Sequence, residues 1–124
     1  MKIFNGTKRS CIASQVFFAD SFFARLRGLL GKKSLGGGHA LVISPCISIH
    51  TFGMRFPIDA VFFDKGKMAV GVIRGIRPGR LSRIFPKAKG VIEIAGGTLS
   101  ELDVEPGDEL VFAELPPWSD TQKG

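Results

Sequence analysis

The chain has 124 residues, 44% of them apolar, with eleven Phe and no Tyr, which suits one domain around one core. No stretch approaches the ~20 apolar residues of a membrane-spanning helix, and the start, Met1 to Gly6, breaks too early for a signal peptide, so a cytoplasmic protein is expected. The net charge of +6 hides an asymmetry: residues 1–92 carry sixteen Lys or Arg against Asp20, Asp59 and Asp64, whereas residues 93–124 carry eight acids against Lys123.

Lys2 to Asn5 and Arg9 to Ala13 read as short strands around a Gly6-Thr7 turn. A helix is expected over about residues 20–31. Asp20 or Ser21 can cap it, Phe22, Phe23, Leu26, Leu29 and Leu30 repeat on one face, and Gly31 stops it. Gly36-Gly37-Gly38 lacks the Lys-Ser/Thr that completes a phosphate-binding loop, and His39 to Ile43 after it reads as a strand. Ala60 to Phe63 and Lys67 to Ile73 flank Asp64-Lys65-Gly66 as a hairpin. Gly90 to Ala95 is another apolar strand, and Thr98 can cap a helical turn through Leu102. Pro106-Gly107-Asp108 then turns into a last strand, Glu109 to Ala113. Residues 1–115 form the expected single domain, with 116–124 as a flexible tail. The elements add up to an α+β fold: a compact, mostly antiparallel, curved or barrel-like β-sheet with one main packed helix.

The most distinctive stretch runs from Pro45 to Asp64 and interleaves Cys46, His50, Thr51, Arg55 and Asp59 with apolar residues. Preceded by Arg25-Leu26-Arg27-Gly28-Leu29-Leu30-Gly31, it resembles the domain of unknown function 192 family. Three blocks carry the resemblance over about residues 10–115: that helix ending, Pro57-Ile58-Asp59 with the apolar strand and Gly turn behind it, and Gly107-Asp108 before the final strand. The resemblance implies a β-rich fold with a packed helix. It brings no agreed activity, so no catalytic residue transfers. His50-Thr51-Phe52-Gly53-Met54 departs from the aromatic-Met-Lys-Asn-Thr stretch of many members.

The chemistry of this stretch has competing readings. Cys46 and His50 would share a face of an extended strand but stand ~13 Å apart, too far for one ion. A four-ligand zinc site would consume Cys11, His39, Cys46 and His50, every Cys and His in the chain, so no metal or cofactor is expected. A hydrolase-like nucleophile would pair Cys46 with His50, oriented by Asp59. The preferred alternative makes Cys46 a small hydrophobe and His50 a partner of the backbone. Asp59 in turn either accepts backbone N–H bonds and holds its turn, the preferred role, or faces Arg55 or His50 in a polar pocket. The leading functional expectation is a monomeric, non-catalytic accessory or binding domain. It would offer a small molecule or a protein partner a polar site at Cys46, His50, Thr51, Arg55 and Asp59.

A second candidate surface is Arg74-x2-Arg77-x2-Arg80-x2-Arg83 followed by Lys87, with no acid between Lys65 and Ile92. Gly75, Pro78 and Gly79 argue for a long exposed loop rather than a helix. Such spacing suits binding of a polyanion or nucleic acid. The aromatics that stack on bases are missing from it, since Phe85 stands alone. A solvated loop paired with the acidic C-terminal segment is the preferred reading.

Overall fold

The computed structural model describes residues 1–19 and 37–119. Among the described residues, eight strands and one short helix follow in order: β1 (Lys2–Asn5), β2 (Ser10–Ala13), β3 (Gln15–Ala19), β4 (His39–Ile43), β5 (Ile58–Phe63), β6 (Ala69–Ile76), β7 (Gly90–Ala95), α1 (Thr98–Glu101) and β8 (Leu110–Ala113). They form a three-stranded sheet in the order β2-β1-β8 and a five-stranded sheet in the order β3-β4-β7-β5-β6. All pairings are antiparallel except β3 with β4, which is parallel. The fold is therefore α+β and mostly antiparallel, as the turn spacing implied. The helix expected over about residues 20–31 lies outside the described residues.

The central strands of the larger sheet are buried on both faces, which explains why β4, β5 and β7 read as nearly unbroken apolar runs. Alternation along the strands divides their side chains between two cores. Val61, Phe63, Ala40, Val42, Ile92 and Ile94 pack toward the three-stranded sheet with Ile3, Ile12 and Leu110. Ile58, Ala60, Phe62, Leu41, Ile43 and Val91 pack the other way, against Ile49, Met54, Phe56 and Phe85 from two loops.

Those loops, residues 44–57 and 77–89, therefore form a third layer. The barrel-like expectation is corrected by this arrangement. The sheets meet at one corner through the Met68–Glu109 bridge, but they do not close, because the five-stranded sheet covers its second face with loops instead of curling upon itself. Strand β3 escaped the sequence reading because none of its residues is buried and its exposed and half-buried positions do not alternate. Thr98 also turned out not to be the helix cap. Gly97 occupies that position, and the Thr98 hydroxyl donates instead to the Ala95 carbonyl at 2.7 Å.

Candidate functional site

The loop layer owes its shape to a few buried anchors. Residues 47–51 run antiparallel to residues 80–85, joined by the His50–Leu81 bridge. The Ser82 N–H donates to the Ile49 carbonyl at 2.8 Å, the Phe85 N–H to the Ile47 carbonyl at 2.8 Å, and the Thr51 N–H to the Arg80 carbonyl at 2.8 Å. Thr51 is fully buried. Its hydroxyl donates to the Arg77 carbonyl at 2.6 Å and accepts the Arg80 N–H at 2.9 Å, so one side chain closes the turn from Arg77 to Arg80. Ser82 does the reciprocal work, its hydroxyl accepting the Ile49 N–H at 2.9 Å.

Phe85 pins the far end. Its ring stacks on Phe62 at 4.3 Å and covers Gly71, where an added Cβ would fall 2.1 Å from the ring. The Arg83 guanidinium lies 5.0 Å from the centre of the same ring. A glycine on the edge strand β6, roofed by an aromatic ring from a loop, is a recognised way of filling the space that the missing side chain leaves.

The structure separates the residues grouped by sequence. Asp59 is out of step with Ile58 and Ala60, so it turns away from the loop layer. It is 1% exposed and accepts the Gly75 N–H at 2.6 Å and the Leu99 N–H at 2.8 Å, tying β6 to the start of α1. This is the backbone-holding role preferred for it. Thr51 is likewise engaged with backbone. The Cys46 thiol is half-buried and donates to the Ser48 carbonyl at 3.0 Å. His50 stacks on Phe52 at 5.2 Å, and its Nδ1 accepts the Phe52 N–H at 3.3 Å. Arg55 is exposed. Among the described residues no group of His, Cys, Asp and Glu is arranged to hold a metal.

The basic run also divides. Arg74 donates from Nη2 to the Val104 carbonyl at 3.0 Å, away from the loops. Arg77, Arg80, Arg83 and Lys87 are exposed on the loop layer. The preferred pairing of this run with the acidic C-terminal segment is not what forms. Among the described residues, the ion pairs of that segment go to Lys8 and to the amino terminus: Asp103 at 3.2 Å, Glu105 at 3.3 Å and Asp108 at 2.9 Å from Lys8 Nζ, and Glu114 at 2.6 Å from Met1 N. The physical reason is topological, since β8 pairs with β1 and brings its acidic approach beside Lys8 at the β1 turn.

Two features escaped sequence reasoning. The exposed aromatic neighbour of the basic run is Phe52, which comes from a different loop and reaches Leu81 through His50. The second is a polar hub around Asp108. Asn5 Nδ2 donates to Asp108 Oδ2 at 2.8 Å, the Glu105 N–H at 3.0 Å, and Lys8 closes it from outside. Burial pushes the Asp108 carboxyl up, but these donors outweigh it and hold it below the ordinary aspartate range. Gly107-Asp108 was the sequence signal for this hub, but two residues alone are too short to name Asn5 and Lys8 as partners.

The family model for DUF192, described as an uncharacterized ACR, matches residues 3–112. A UPF0127 protein of Thermococcus sibiricus is 36% identical over 87% of this chain and 72% of its own length. A UPF0127 protein of Pyrococcus furiosus is 32% identical over 90% of this chain and 97% of its own. Among solved structures, a protein of unknown function from Novosphingobium aromaticivorans superposes with a TM-score of 0.69 at 18% identity, covering 78% of this chain and 74% of that one. A Sinorhizobium meliloti protein provisionally named a transcription regulator gives 0.66 at 22% identity, with 81% and 82% covered. At such identities the two structures speak for the fold alone.

Proposed function

We propose, for a chain that belongs to the uncharacterised DUF192 family, a non-catalytic binding module whose working surface is the loop pair 46–56 and 77–89 and whose partner is anionic. The observation that carries the reading is the unneutralised cationic loop. Arg55, Arg77, Arg80, Arg83 and Lys87 are exposed, and among the described residues Asp103, Glu105, Asp108 and Glu114 of the acidic segment pair with Lys8 and the amino terminus. Residues 46–56 and 77–89 contain no acid, and a surface of one sign carries a potential of several kT that attracts polyanions. Thr51 and Ser82 serve it as positioning residues, because they hold the turn that displays the arginines. The module acts in the cytoplasm as a monomer on this reading, and Cys11 and Cys46 as thiols fit a reducing compartment.

The test is a titration of the full chain with heparin and with a mixed-sequence single-stranded oligonucleotide at low and physiological salt. Affinity falls with salt, and the double variant Arg77→Glu/Arg80→Glu weakens binding by about tenfold or more with a shallower salt dependence. Absence of binding to either polyanion at low salt would overturn the reading.

A further inference from the structure

The geometry points to an anionic lipid surface as the partner of this loop pair, with the arginines on the headgroup phosphates and the loop tips seated at the acyl boundary. The inference rests on the anionic-partner reading and adds to it the nature of the partner. Its first ground is the set of apolar side chains among the cations. Eight large apolar residues are exposed among the described residues, and four of them, Ile47, Phe52, Leu81 and Ile84, stand on these two loops. Leu81 is 70% exposed and Ile84 58% exposed. They alternate with Arg80, Arg83 and Lys87, so charge and hydrocarbon lie side by side along one short stretch.

Nucleic acid does not use such side chains well. Phosphates take the cations, and bases stack on planar groups; the planar groups here, His50 and Phe52, are already stacked on one another. Branched aliphatic tips would remain in water. An anionic bilayer accepts both kinds at once, phosphate at the headgroup level and methyl groups just beneath it.

The second ground is a cleft of about 240 Å³ beside Ile84, lined by Val70, Phe85 and Pro86 with Arg83 and Lys87. An apolar floor with two cations in its lining matches a phosphate attached to hydrocarbon better than a bare inorganic ion. The third ground is mechanical. Backbone hydrogen bonds and the Phe85 ring anchor residues 80–85, so the tips are held outward without help from the groups that would meet the lipid.

Flotation of the full chain with vesicles tests this, using phosphatidylcholine alone and phosphatidylcholine mixed equally with phosphatidylglycerol. The chain floats with the mixed vesicles and not with the neutral ones, and soluble glycerol phosphate does not displace it. The exposed double variant Leu81→Ser/Ile84→Ser keeps the thermal midpoint and its oligonucleotide affinity, and loses vesicle affinity by about tenfold or more. Arg80→Glu/Lys87→Glu loses about fivefold per charge removed. No flotation from a chain that still binds the oligonucleotide overturns the lipid inference and leaves the anionic-partner reading standing. No binding to either overturns both. Undiminished flotation of the Leu81/Ile84 variant overturns the seating of the loop tips.

Discussion

Replacing Gly71 by Ala probes the anchor on which the candidate surface depends. Gly71 pairs with Phe62 on the edge strand β6 and has no left-handed backbone, so Ala meets no conformational objection there. The objection is the ring of Phe85. An added Cβ would lie 2.1 Å from Cε1, 2.4 Å from Cδ1 and 2.7 Å from Cζ. Carbon atoms settle at about 3.5–4.0 Å, so the ring must retreat by more than about 1 Å. Phe62 stacks on it at 4.3 Å, and its own backbone is bonded to Ile47. Forced overpacking of this kind costs about 1–3 kcal/mol. Phe85→Ala alone costs about 3–5 kcal/mol for the buried ring. With the ring gone, the same Gly71→Ala change becomes neutral or stabilises by about 0.4–1 kcal/mol, because it restricts the unfolded chain. Urea unfolding of the four proteins of this cycle should give a coupling of about 1–4 kcal/mol, and Gly71→Ala should speed amide exchange at Ser82 and Phe85. An equal cost of Gly71→Ala in both backgrounds, or none in either, would refute the anchoring argument.

Two further substitutions separate folding from binding. Asp59→Asn places an NH2 group against one of two N–H donors, Gly75 or Leu99, and should cost about 2–3 kcal/mol in thermal unfolding while leaving polyanion affinity unchanged. A loss of affinity at full stability would return Asp59 to the binding surface. Asp108 supplies a pH signature. Its carboxyl titrates lower in the folded chain than in the unfolded one, so the stability it contributes is present above the unfolded pKa of about 3.9 and is lost as pH falls through the folded value. Acid unfolding of the wild type should steepen below about pH 4, with Asp108→Asn less stable at neutral pH and flatter in that window. Parallel acid limbs for the two proteins would count against the hub.

The strands were readable where composition did the work. His39–Ile43 and Gly90–Ala95 are apolar runs, the first entered from Gly36-Gly37-Gly38 and the second ended by Gly96-Gly97, and both ends of each come out as expected. Layering was not readable, because a run buried on both faces does not reveal which neighbours cover which face. This is why Asp59 was grouped with His50. They stand nine positions apart in the chain, but the alternation of β5 sends Asp59 to α1, while His50 lies on the loops. The Arg77–Lys89 loop was recognised as exposed and basic from its Gly and Pro content. Its aromatic neighbour was not, because Phe52 reaches it only through the pairing of two loops about thirty residues apart, a non-local contact with no periodic signal. The acidic segment failed as its partner for the same reason. Charge balance along a sequence does not say which strand edge carries the acids, and the β1–β8 pairing carries them to Lys8.

The way the cationic loop is held bears on what it is for. Arginine-rich loops are often kept in place by carboxylates, and then the charges that hold the loop are already spent. Here the holding groups are neutral: the Thr51 and Ser82 hydroxyls, the backbone bonds between the two loops and the Phe85 ring over Gly71. Arg83 touches that ring through its π face, which leaves its charge unneutralised. The fold therefore supports the arginines without using them, and their removal should cost little stability. Charges kept in water at no structural benefit raise the electrostatic energy of the folded chain. A partner that brings the opposite sign relieves that cost on contact, and this gives the loop a reason to exist apart from folding.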